Sequence, residues 1–230
     1  MSRLLATIGW DVQLQFRYGF YYAGAVVALI WIALFSLIPA MDLELLLPVF
    51  LFGNLTMTTF YFVAGLVLLE KGQHTLQGLV VTPLRQGEYL TAKIVTLTWL
   101  ALLESLLIVG VSYGLALNWL WLLLGLLTLA AIYILAGFIF VSRYDSINEY
   151  LMPSGLLTLF LSLPLIDYFE MWPSLLFYLL PTQPPLLLLR AAFQPLAAWQ
   201  LGYALLGSIF WIGVGYGWSK RVFYRVIAFN

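Results

Sequence analysis

The chain has 230 residues, of which 63% are hydrophobic, 17% aromatic and only 9% charged, with ten basic and ten acidic side chains and no net charge. An ordinary soluble domain is about half apolar and about a quarter charged, so much of this chain's surface must face lipid instead of water. That excludes a soluble enzyme, a disordered chain and a nucleic-acid binder, and the absence of cysteine excludes disulfides, thiolate metal sites and a catalytic thiol.

Residues 1–17 set Leu5, Ile8, Val12 and Phe16 at helical spacing among Asp11, Gln13 and Gln15. This predicts an amphipathic helix at the cytoplasmic interface, not a cleaved signal. A hydrocarbon core about 30 Å thick needs roughly 20 helical residues at 1.5 Å each. The gaps between charges supply six such spans, at about 19–40, 46–69, 94–116, 120–141, 150–167 and 201–218, with a tight turn at Asn118-Trp119. The run from Met171 to Leu189 is apolar as well, but Pro173, Pro181, Pro184 and Pro185 interrupt it. The outer segment 168–199 is therefore expected to form broken, re-entrant or interfacial helices between spans five and six. The expected fold is all-α, integral to the membrane, in one domain over 1–230.

Basic residues test the span count. With six spans and an inside start, Arg3, Arg17, Lys71, Arg85, Lys93, Arg143, Lys220, Arg221 and Arg225 fall inside and Arg190 alone outside. That bias puts both termini in the cytoplasm, and a seventh span would spoil it. The basic, aromatic stretch Lys220–Arg225 reads as an interface anchor, and Trp119, Trp121, Trp172 and Trp199 as an outer aromatic belt.

The loop 70–93 is the most informative segment. Gly72 is expected to stop the second span in a left-handed cap. Leu76, Leu79 and Val80 then share one face of a short helix, which Thr82-Pro83 breaks. Such a helix suits docking of a soluble partner, or lies flat on lipid. The run Glu70-Lys71, Thr75-Leu76, Leu79, Thr82-Pro83-Leu84, Glu88-Tyr89-Leu90 and Lys93 resembles the loop joining spans two and three of ABC transporter type 2 permeases. The Arg17-Tyr18-Gly19-Phe20-Tyr21-Tyr22 stretch looks like the fluoroquinolone-export branch of that family. Gln77 departs from the acidic residue usual there.

The resemblance implies that Glu70, Lys71, Gly72, Thr75, Leu76, Leu79, Thr82, Pro83 and Leu84 belong to a coupling loop that contacts a separate ATP-binding subunit. It implies a second permease subunit, identical or related, and export of amphipathic drug-like or lipid-like molecules across the cell (inner) membrane. Cofactors in this chain would be none, with ATP and Mg²⁺ on the partner. The residues agree on one point independently. A phosphate-binding loop needs Gly before Lys, whereas the three lysines follow Glu70, Ala92 and Ser219, so ATP hydrolysis belongs on another polypeptide and the chain is not itself an enzyme. Alternatives are a permease for polysaccharide or lipid-linked glycan, or a membrane scaffold that recruits a cytosolic partner.

Glu104 is the charge deep within a predicted span, where a carboxylate costs several kcal/mol unless neutralised, paired or solvated. It either lines a translocation path or is a protonated or interfacial group bonded to a neighbouring helix. Gly110-x-x-x-Gly114 and Gly213-x-x-x-Gly217 allow close helix approach, expected within one subunit. His74, the sole histidine, has no companions at ligand spacing, so no metal site is expected.

Overall fold

The computed structural model describes residues 3–73 and 85–228. Thr75, Leu76, Leu79, Thr82, Pro83 and Leu84, like His74, lie outside the described residues. Among the described residues the fold is all-α, without a strand.

Helix α1 (Arg3–Arg17) turns into α2 (Phe20–Phe35) through Gly19, which sits at φ +80. That left-handed conformation is cheap only for glycine, and the two helices meet at 61°. Phe16 and Tyr21 stack across the bend with ring centroids 4.0 Å apart. Helix α2 has 16 residues, about 24 Å of rise, because the turn at Ser36–Pro39 ends it before the expected boundary.

The second crossing is compound. It runs through α3 (Ala40–Leu55), a π-helical turn (Thr56–Tyr61) and α4 (Phe62–Gly72). Its cause is local chemistry. Thr56, Thr58 and Thr59 each donate a side-chain hydrogen bond to the carbonyl four residues back, at 3.1, 3.1 and 2.5 Å. These bonds compete with the backbone ladder and widen the turn.

Helix α5 (Gln86–Ser112) and α6 (Trp119–Val141) form the next two crossings. Asn118 caps α6, its side chain accepting from the Trp121 amide at 3.4 Å. The fifth crossing, α7 (Ile147–Leu161), bends into the short α8 (Pro164–Tyr168). A 3-10 turn (Leu175–Leu179) and α9 (Gln183–Phe193) follow, and α10 (Ala198–Ala228) is the last crossing. Among the described residues five helical stretches are each long and apolar enough to span a membrane, and the bent α1–α2 pair makes a sixth if it is one span.

Helix α9 shows what the prolines do. Pro184 and Pro185 occupy its first turn, where a missing N–H costs nothing. From there Leu186 to Leu189 are all buried, so the segment packs between α6, α10 and α3. Two glycines make room for it. A Cβ on Gly125 of α6 would lie 2.8 Å from the Leu189 side chain, and one on Gly207 of α10 would lie 2.8 Å from Pro184. Gly137 of α6 seats the π turn in the same way, with a Cβ there only 2.7 Å from the Phe60 carbonyl.

The expected close-packing glycines behave differently. Gly110, Gly213 and Gly217 meet nothing within 4 Å, and Gly114, at φ +90, turns the chain after α5. Packing within the subunit therefore uses glycines that carry no four-residue spacing. Position in the tertiary fold, not spacing, decides which backbone must be bare.

Candidate functional site

The two helices that flank the loop 74–84 are locked together at its base. Glu88, in the first turn of α5, accepts a hydrogen bond from the Arg85 amide at 2.7 Å and so caps the helix. One turn further on, Lys93 points inward and is 1% exposed. Its ammonium donates to Glu70 of α4 at 2.5 Å and to Asp11 of α1 at 2.7 Å. The Tyr89 hydroxyl donates to the other oxygen of Glu70. Leu90 is buried between them in sequence and packs in the apolar core. One cation thus joins three helices.

Helix α1 presents its polar side to this cluster. Asp11 is 2% exposed, and the buried Gln15 amide donates to the Thr96 hydroxyl of α5 at 2.9 Å. Leu5, Trp10 and Phe16 point outward. The amphipathic helix is real, but its polar face meets protein and its apolar face meets the surroundings. A lipid-facing element reverses the pattern that water imposes. Burial pushes the Asp11 carboxyl above the usual carboxylate range, against the opposing pull of Lys93.

Lys71 ties the same end of the bundle to α6. Its ammonium donates to the Ser142 and Tyr144 carbonyls at 3.0 and 2.7 Å and to Asp145 at 3.2 Å. A cation over the free carbonyls at a helix C-terminus answers the negative end of the helix dipole. Gly72 does not adopt the expected left-handed cap. The helix continues through it and ends at Gln73, with φ −92 and ψ 2, whose side-chain amide donates to the Tyr18 hydroxyl.

Beside this base an open cleft of about 650 Å³ is lined by Leu4, Arg85, Gly87, Glu88, Thr91, Tyr216 and Lys220. It brings α1, α5 and α10 to one end of the bundle. Arg190 stands with the outer segment, its guanidinium over the Tyr168 ring at 5.5 Å.

Glu104 lies apart from this cluster. It is eight residues, about 12 Å, from the C-terminal end of α5, which begins and ends earlier than the expected span. It is 5% exposed, and among the described residues no basic side chain pairs with it. Its polar neighbour is Asn54 of α3, whose side-chain amide is placed to donate a hydrogen bond to the carboxyl. Gly24 of α2 faces it, with an ideal Cβ 3.8 Å from Oε2. Sequence singled out Glu104 but had no means of finding Asn54 or Gly24. Among the described residues no group of three His, Cys, Asp or Glu side chains could hold a metal ion.

Apolar crossings, a compound second span and an ion-paired loop base define a multi-pass, all-α membrane protein. The family model for the fluoroquinolones export permease protein family matches residues 2–229, and the chain belongs to that family. It is 34% identical over 212 residues to two proteins of Mycobacterium tuberculosis, from strains CDC 1551 and H37Rv, each named a fluoroquinolones export permease protein. The match covers 91% of this chain and 90% of each relative.

Proposed function

We propose that the chain is the membrane-spanning subunit of an ATP-driven exporter, resident in the cell (inner) membrane with both termini cytoplasmic. It carries amphipathic drug-like molecules outward, fluoroquinolone-like compounds among them, as the names of its relatives suggest. ATP and Mg²⁺ act on a separate ATP-binding subunit, which docks on the loop 70–93. A second permease subunit, identical or related, completes the pathway.

The carrying observation is the shared cation at the loop base. Lys93 holds the start of α5, the end of α4 and the face of α1 in one buried cluster. A displacement applied to the loop then moves three helices together instead of fraying one. Lys71 extends the same grip to α6. Glu70, Lys71 and Gly72 are the stem of the coupling loop, and Thr75, Leu76, Leu79, Thr82, Pro83 and Leu84 form the docking surface carried on that stem.

Purification of the tagged chain from its own host tests this reading. An ATPase with a phosphate-binding loop co-purifies, and Leu76→Asp with Leu79→Asp abolishes both its retention and drug export. Membranes that yield the chain without any ATPase, under conditions that preserve other transporters, overturn it.

A further inference from the structure

We infer that the cleft between α1, α5 and α10 binds the phosphate headgroup of an anionic phospholipid, in the leaflet that meets the loop base. The inference stands apart from the export reading and asks nothing of an ATPase.

The donors of the cleft converge on the start of α5. The Gly87 amide lies in the first turn of a 27-residue helix and has no carbonyl within that helix to bond, and the helix dipole places positive potential there. Lys220 of α10 stands beside it, since a Cβ on Gly87 would lie 3.7 Å from the ammonium nitrogen. Arg85, exposed, lines the same cleft one residue before α5 begins.

A cation beside the positive end of a helix is the reverse of the favourable pairing. Among the described residues no carboxylate forms an ion pair with Lys220 or Arg85 to offset it. The acidic residue that lines the cleft, Glu88, turns an oxygen to the Arg85 amide and accepts from it at 2.7 Å. Two side-chain cations and a helix start, against one capping carboxylate, leave the cleft positive. That is the electrostatics of an anion site.

Gly87 keeps the cleft open. A Cβ there would lie 3.1 Å from the Tyr216 hydroxyl and 3.4 Å from Cε of Lys220, so a side chain would fill the space in front of the ammonium. The Tyr216 ring holds that ammonium in place, 4.5 Å from the ring centroid. A volume of about 650 Å³ is ample for a glycerophosphate headgroup.

The neighbouring surface sets a lipid above a free phosphate. One residue further round α10, Gly217 and Arg221 line an apolar groove of about 540 Å³ with Gly213, Val214, Trp218 and Val222. A Cβ on Gly213 or Gly217 would meet nothing within 4 Å, so bare backbone borders open space there. The groove lies on a helix long and apolar enough to cross the membrane, and Arg221 stands at its charged end. An acyl chain fits the groove while its headgroup occupies the cleft. A soluble phosphate uses the cleft alone.

The test uses the purified full chain in detergent, with lipid added back. Phosphatidylglycerol brominated on its acyl chains quenches tryptophan on contact, and brominated phosphatidylcholine is the zwitterionic control. Wild type is expected to favour phosphatidylglycerol roughly tenfold or more, and Trp218→Phe to lose the quenching that saturates first. Lys220→Gln and Arg85→Gln each lower the preference roughly fivefold. Arg143→Gln, which removes an exposed cation just past the end of α6, leaves it unchanged. Gly87→Val keeps every charge but fills the cleft, and is expected to lose the preference as well. Equal quenching by the two lipids in wild type, or a loss at Arg143 as large as at Lys220, reduces the binding to diffuse surface charge and overturns the site. Inorganic phosphate that raises the melting temperature of the lipid-free chain as much as phosphatidylglycerol does assigns the cleft to a soluble anion and overturns the lipid.

Discussion

Asp11 and Lys93 meet at 2.7 Å, 82 residues apart in sequence, with both side chains withdrawn from solvent. The contact fastens the first helix of the chain to the helix that emerges from the loop. Because Glu70 shares the same ammonium at 2.5 Å, neither carboxylate is spare: each holds one side of the cation. Desolvating three charges is expensive, so the cluster is worth far more in its completed form than in any partial one.

Removing the cation exposes that asymmetry. Lys93→Met leaves two buried carboxylates facing each other and is expected to cost about 3–5 kcal/mol. The triple substitution Asp11→Asn, Glu70→Gln and Lys93→Met removes the charges together and recovers most of that loss. Thermal unfolding in detergent, followed by tryptophan fluorescence, checks the order. A triple variant less stable than Lys93→Met would contradict it.

Lys71 acts through carbonyls more than through its ion pair. Asp145 is 87% exposed, so Asp145→Ala is expected to change stability by less than about 0.5 kcal/mol. Lys71→Ala leaves the Ser142 and Tyr144 carbonyls without their donor and costs about 1–2 kcal/mol. Melting temperatures of the two variants distinguish these contributions.

The glycines divide into two groups. Gly125→Ala, Gly137→Ala and Gly207→Ala each drive a Cβ to within 2.8 Å of a packed neighbour and are expected to cost about 1–3 kcal/mol. Gly110→Ala and Gly213→Ala meet open space and are neutral or stabilising by about 0.5–1 kcal/mol. The yield of monodisperse protein in detergent, together with its melting temperature, reads out both groups.

Asp11 responds to pH in the sense set by its raised carboxyl value. The folded state binds this proton more tightly than the unfolded chain does. Its contribution to stability is therefore complete below the ordinary carboxylate value of 3.8 and is lost as pH rises through the raised value. Wild type is expected to gain on Asp11→Asn as pH falls from neutrality toward 4. Paired melting curves across that range measure the trend, and a gain toward alkaline pH would refute it.

Much of the loop base was legible as a motif. Glu70-Lys71 and Glu88-x-Leu90-x-x-Lys93 stand out in the sequence, and each has a distinct role in the structure. Glu88 caps α5, Leu90 fills the core, and Lys71 and Lys93 bridge helices. Asp11 and Gln15 were legible only as the polar face of an amphipathic helix. Which medium that face meets cannot be read from periodicity, since lipid and protein interior exchange the roles that water and core play in a soluble domain. The glycine spacings misled for a related reason. A bare Cα matters only where another backbone or side chain lies opposite, and Gly137 needs the π turn to be there first.

The sequence by itself determined the solvent, the helical class and the approximate spans. Those properties are sums over composition and runs, and a bilayer reads them locally, one segment at a time. Only the tertiary structure decided that Lys93 joins Asp11 to Glu70, that α9 packs between α6, α10 and α3, and that Glu104 faces Asn54 and Gly24. These are pairings between distant segments. They depend on which helix faces which, and in an apolar medium that choice rests on close packing and a few buried polar contacts that periodicity does not encode.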